Sequence, residues 1–190
     1  MAAQPNSILS EQEYLAQERE AEVRHEYWFG TVVAMSGGSE RHPLITLNVA
    51  GELRHALKRR GCRVYSSDMR LRVTPAGLYV YPDIMAVCVE PAFADARNDT
   101  LLNPTVIVEV LSPSTEKYDM GAKGWHYRTL ESVRDYVTVA QDSPRIEICH
   151  RTSSREWVIS ITEGIDATLR IESLNVEIPL AEIYANVTFE

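Results

Sequence analysis

Residues 105–111 read Thr-Val-Ile-Val-Glu-Val-Leu, and residues 84–89 read Ile-Met-Ala-Val-Cys-Val. A strand shows alternate side chains to opposite sides, so a run that is apolar at successive positions needs cover on both faces. Two such runs oblige the chain to build a sheet with a packing layer above it and another below. One residue breaks the pattern. Glu109 stands among Val106, Ile107, Val108, Val110 and Leu111, where an ionised carboxylate is costly unless it is paired or bound to a metal.

The rest of the chain supplies the cover. Residues 8–20 predict a short acidic helix, with Ser10 as N-cap and Glu13 completing a capping box. Residues 24–35 predict a hairpin turning at Phe29-Gly30. After the break Ser36-Gly37-Gly38-Ser39, residues 41–60 predict the main helix. Its apolar stripe is Leu44, Leu47, Val49-Ala50, Leu53 and Leu57, and Gly61 follows it. Short strands are expected near 62–67 and 69–74, with a turn at Pro75-Ala76-Gly77. A helix weakened by Gly121 and Gly124 is expected over 115–131. Alternating strands fill 134–178, and a last short helix lies near 180–185. The expectation is an α+β (mixed α/β) fold in one domain, 1–190. It has a central mixed β-sheet flanked by helices, an N-terminal helix-hairpin and a strand-rich C-terminal part.

A second acid joins Glu109. Asp83 opens the strand 84–89 directly after Pro82, which withholds an amide and suits a strand start. If the two apolar strands are neighbours, Asp83 and Glu109 converge on one hard cation. Two carboxylates with a backbone carbonyl and waters suit magnesium. A Pro-Asp turn, and a buried Glu paired to an arginine, are the structural alternatives. Asp119, Lys123 and Tyr127 are spaced four apart, so a helix would align them on one face. Only three lysines occur, Lys58, Lys117 and Lys123, against sixteen arginines. Arg41 and His42, at the start of the main helix, suit a phosphate contact.

Several classes are excluded. There is no G-x-S-x-G elbow and no phosphate-loop spacing around Lys123. Cys62, Cys88 and Cys149 form no C-x-x-C pair, so reduced thiols are expected rather than a zinc site. No apolar run nears the ~20 residues of a membrane span, and the N-terminus lacks a secretory pattern, so a cytoplasmic protein is expected. The net charge of −8 argues at first against nucleic acid. That sum is uneven. Residues 41–72 hold eight basic groups and two acids, a net of +6, which leaves −14 for the remainder. A local basic stripe can still meet phosphates.

These residues form a larger pattern. Tyr81-Pro82-Asp83, then Glu109-Val110-Leu111-Ser112-Pro113-Ser114-Thr115, then Asp119, Lys123 and Tyr127, resembles the Uma-type bacterial family of predicted restriction endonucleases, within the PD-(D/E)XK nuclease-like superfamily. The likeness runs through Tyr14-Leu15, the hairpin from Glu26 to Ser36, His42 and Arg134-Asp135-Tyr136-Val137. It implies a restriction-endonuclease-like core in which Asp83, Glu109 and the carbonyl of Val110 hold magnesium or manganese. The lysine usual in the superfamily two residues after the glutamate is here Leu111, and Lys123 takes its place. The expected function is metal-dependent hydrolysis of DNA phosphodiesters by Asp83, Glu109 and Lys123. His42, Tyr127 and Arg41 would contact the substrate. A homodimer is expected, since two strands need two sites. A non-catalytic DNA-binding or interaction module that keeps the fold is the alternative. A structural domain with Glu109 held by an arginine is the third reading.

Overall fold

The computed structural model describes residues 9–35, 37–74, 77–112 and 119–189, with Asp119 and Met120 described as backbone only. The elements in chain order begin with helix α1 (Glu11–Glu18), the hairpin β1 (His25–Trp28) and β2 (Thr31–Ala34), and helix α2 (Arg41–Leu57). Strands β3 (Arg63–Ser66), β4 (Arg70–Thr74), β5 (Leu78–Val80), β6 (Ile84–Val87), β7 (Thr100–Leu101) and β8 (Val106–Leu111) follow. A π-helical turn, Asp119–Lys123, runs into helix α3 (Gly124–Thr129). Strands β9 (Asp135–Ala140), β10 (Arg145–Arg151), β11 (Trp157–Glu163), β12 (Thr168–Ile171) and β13 (Val176–Pro179) precede helix α4 (Leu180–Ile183).

The sheet demanded by the two apolar strands is six-stranded and mixed, in the order β11-β10-β9-β8-β6-β3. Its central strands β6 and β8 are buried at every position. α2 covers one face through Ile45, Val49, Leu53 and Leu57, which meet Ile84, Ala86, Val106, Val108 and Val110. Each such side chain contributes roughly 1.5–3 kcal/mol by leaving water. The other face is covered differently from expectation. A second sheet, β2-β1-β5-β4-β7, packs there together with α3. The hairpin, β4 and β5 thus build a layer of their own rather than extending one central sheet.

Local signals explain most elements. The Ser10 hydroxyl accepts from the Glu13 amide while Glu13 accepts from Ser10, so the capping box forms as expected. Phe29 and Gly30 both take positive φ, 47° and 101°, as a tight two-residue hairpin turn requires. The stripe of α2 needs correction. Ile45 faces the core and Leu47 is 70 % exposed. The buried set recurs every four residues, which puts Leu47 on the far side. The helix also stops at Leu57, earlier than expected. The turn expected at Pro75-Ala76-Gly77 lies mostly outside the described residues, as does the start of the helix expected from residue 115.

The cysteine expectation is overturned. Cys62 and Cys88 form a disulfide, with Cα atoms 4.2 Å apart. Arg63 pairs with Val87 across β3 and β6, so the next residues outward, Cys62 and Cys88, stand opposite each other. Only Cys149 is a free thiol, and it is buried.

α1 is tied to the second sheet by charge. Arg19 donates to Asp99 at 2.8 Å, and Arg70 lies 3.2 Å from the same carboxylate. The Arg19 hydrogen bond holds the Asp99 pKa down to about 2. A depressed carboxylate adds stability above its unfolded pKa and loses it as pH falls through the folded value. Asp99→Asn is therefore expected to cost about 1–2 kcal/mol at pH 7, discounted for its partial exposure. The difference from wild type should be largely lost by pH 2 and vanish only below it, as read by urea unfolding across that range.

Candidate active site

The register of two strands sets the site. β6 and β8 run antiparallel with Ile84 opposite Val108, so Asp83 falls opposite Glu109. Pro82 ends the ladder there, and side chains take over from backbone. The Asp83 amide donates to Glu109 Oε2 at 3.3 Å, and the Val110 amide donates to Asp83 Oδ2 at 2.7 Å. Each acid is thus held by the backbone beside the other.

Glu109 points into the space between the two sheets and is 4 % exposed. Tyr127 Oη donates to Glu109 Oε1 at 2.7 Å, and Lys123 Nζ donates to the same oxygen at 3.4 Å. Burial and the facing carboxylate push the Tyr127 phenol well above its ordinary pKa, so it stays a donor. Lys123 reaches this place from the π-helical turn, a geometry that widens the helix and often accompanies function. The expected alignment with Asp119 rests on a side chain outside the described residues.

Lys123 has a second and closer partner that the sequence reading did not assign to the site. Its Nζ lies 2.8 Å from Glu26 Oε1, and Glu26 is itself buried and accepts from Trp28 Nε1 at 3.1 Å. β1 carries Glu26 and Trp28 on the same face, turned toward Lys123. The signal available in the sequence was a carboxylate two residues before a tryptophan on an inward strand face.

His42 completes the group. Its Nε2 is 3.2 Å from Asp83 Oδ2. The hydrogen bond to Asp83 raises the imidazole pKa against opposing burial, and Glu109 and the Val110 backbone add to the rise. Arg41 precedes it on α2 and is half-buried. The structure therefore brings Asp83, Glu109, Val110, Lys123, Tyr127 and His42 together and adds Glu26.

The basic stripe needs revision. Arg70 is 3 % exposed and donates to Thr100 and Tyr81, so it is structural. The exposed Arg54 and Lys58 lie roughly 18–24 Å along α2 from His42, at the helical rise per residue.

The sequence pattern of the Uma2 family, described as "Putative restriction endonuclease", matches residues 11–181. The chain belongs to the Uma2 family. The match includes every residue of the site. Relatives of this chain include two uncharacterized Synechocystis sp. proteins. The first, sll1609, is 30 % identical over 176 residues, spanning 93 % of this chain and 99 % of its own. The second, slr1290, is 31 % identical over 186 residues, spanning 97 % and 96 %. The fold is also that of a crystal structure titled as a putative nuclease belonging to DUF820 from Anabaena variabilis. It superposes with a TM-score of 0.77 over 95 % of this chain and 99 % of that one, at 15 % identity.

Proposed function

We propose that this chain is a metal-dependent endonuclease that hydrolyses DNA phosphodiester bonds. The observation that carries the reading is the pairing of Asp83 with Glu109 across one sheet register, next to a buried lysine. An acid embedded in a core strand has little structural use. Two that converge have a chemical one.

The donor set fits magnesium or manganese. Among the described residues, no three His, Cys, Asp or Glu side chains form a ready-made metal cage. Magnesium does not need one, since it takes one or two carboxylates and keeps its waters. Asp83, Glu109 and the Val110 carbonyl would hold it. The charge also fits. Glu26, Asp83 and Glu109 gather around Lys123 and His42, a concentration of carboxylates that a divalent cation would offset. When bound, the ion supplies Lewis-acid polarisation of the phosphodiester and a lowered pKa for water.

The chain's own groups do the rest. Lys123, held by Glu26 and Glu109, presents fixed positive charge for phosphate oxygens. Tyr127 keeps Glu109 in one rotamer by donating to Oε1. His42 holds a proton at Nε2 toward Asp83, and Arg41 lies beside it for a phosphate contact. The test is nicking of supercoiled plasmid in magnesium against EDTA. Metal-dependent nicking is expected. Binding of plasmid without nicking would favour a non-catalytic module.

The cytoplasm is the compartment this reading implies, and reducing conditions there would open Cys62–Cys88. Among the described residues no helix is long and apolar enough to cross a membrane. A homodimer suits cleavage of both strands, and β11 is the surface that fits it. β11 is a sheet edge with Val158, Ile159 and Ile161 at least half exposed. It contains neither the lysine nor the proline that usually guards an edge. Its sequence is nearly symmetric about Ser160. Antiparallel pairing with a second copy sets Ile159 against Ile161 and Val158 against Thr162, with Arg155 diagonal to Glu163. Ile159→Lys is expected to turn a dimer into a monomer in sedimentation. A wild-type monomer, or a dimer unmoved by the change, would contradict this.

A further inference from the structure

The hairpin that carries Glu26, and the helix that carries Tyr127 just beyond Lys123, also carry four rings that pack together. His126 packs edge-on against Trp28 and Trp125, with centroids 5.7 and 4.8 Å away, and lies 5.7 Å from Phe29. Two of these rings face solvent. Phe29 is 49 % exposed and Trp125 is 61 % exposed.

Their placement is costly. Phe29 sits at the hairpin tip with φ of 47°, where Asn, Asp or Gly is the usual residue. A side chain there strains the backbone, so the ring has no local reason to be present. His126 Nδ1 is buried and, among the described residues, has no hydrogen-bond partner. Burial lowers its pKa, which favours a neutral imidazole. The result is an uncharged aromatic cluster with two of its rings open to solvent.

This cluster is joined to the site. Trp28 is the link, since it donates to Glu26, the partner of Lys123, and packs against His126, whose other neighbours are the exposed Phe29 and Trp125. A chain anchored by a phosphate at the site can therefore extend its next groups toward these rings. In a nucleic acid those groups are bases. Resting on the nuclease reading, we propose that Phe29, Trp125 and His126 form a stacking platform for an unstacked nucleobase. The substrate class is then nucleic acid that is single-stranded, frayed or mismatched at the cleavage point. Every base has a π-face, so such a platform tolerates any sequence. In an intact duplex the faces are hidden in the stack, and exposing one costs energy that a single strand does not demand.

The test uses the full chain in EDTA with three fluorescein-labelled probes. They are an oligothymidine of about 15 nucleotides, an abasic strand of equal length and a duplex, sized to the usual single-strand site. The base-bearing strand is expected to quench tryptophan emission and to bind about tenfold more tightly than the abasic strand, in line with ordinary stacking. Trp125→Ala and Phe29→Gly should each weaken it by about tenfold, with duplex affinity unchanged within about twofold. Glycine suits the positive φ at position 29, so a loss there is not misfolding. Trp125→Phe should restore binding. Equal affinity for base-bearing and abasic strands, or no effect of either variant, would overturn the platform and leave the nuclease reading standing. A wild-type chain that binds none of the probes and nicks no plasmid would remove both.

Discussion

Asp83→Asn is expected to slow magnesium-dependent nicking by on the order of 10²–10³-fold, the usual loss when one preorganised charged group is removed from a site of this kind. The substitution is isosteric. The amide oxygen of asparagine still accepts the Val110 N–H, which now lies 2.7 Å from Asp83 Oδ2. The strand start is therefore retained, and thermal unfolding should be little changed. What is lost is charge at the proposed metal position and the ionic contact with His42. Glu109→Gln should lose nicking as well, with some stability, because its one amide oxygen can accept from Tyr127 or from the Asp83 N–H but leaves the other facing an NH2. Wild-type nicking by either folded variant would separate the acids from the chemistry.

Lys123→Met is expected to be the most damaging change to stability, at about 3–5 kcal/mol, the cost of leaving a buried charge without its partner. Lys123 is 7 % exposed and bridges Glu26 and Glu109 at 2.8 and 3.4 Å. Methionine keeps the stem packed but leaves two buried carboxylates facing each other. The double variant Lys123→Met/Glu26→Gln should recover part of the loss, since one of the two stranded charges is gone. Urea unfolding of the four proteins gives the coupling as a double-mutant cycle. Additive losses would mean that Lys123 and Glu26 do not interact. Nicking should fall in Lys123→Met even where the protein remains folded.

The legible parts of this molecule were those fixed by neighbours in sequence. The Ser10–Glu13 capping box, the Phe29-Gly30 turn and the two apolar strands depend on contacts or patterns within a few residues. Asp83 and Glu109 stood out because each breaks such a pattern. What sequence alone withheld depends on register between distant strands. Glu26 meets Lys123 only because the second sheet packs β1 against the face that Glu109 looks onto. Cys62 and Cys88 are bridged because β3 and β6 pair with one particular alignment. Ile45 and Leu47 differ in burial because of which side of α2 the sheet occupies. Arg70 counted as surface charge in the sequence, yet its strand carries it inward to Thr100 and Tyr81.

The site is thus an acid pair made by one strand register and a lysine held by two carboxylates. Its central claim is that Asp83 and Glu109 share a divalent ion. Anomalous diffraction from a crystal soaked in manganese reads this directly. The account predicts one strong peak, bonded to a carboxylate oxygen of each residue at about 2.0–2.6 Å, the range for hard cations on oxygen. A peak elsewhere, or none with both carboxylates ordered, would contradict it.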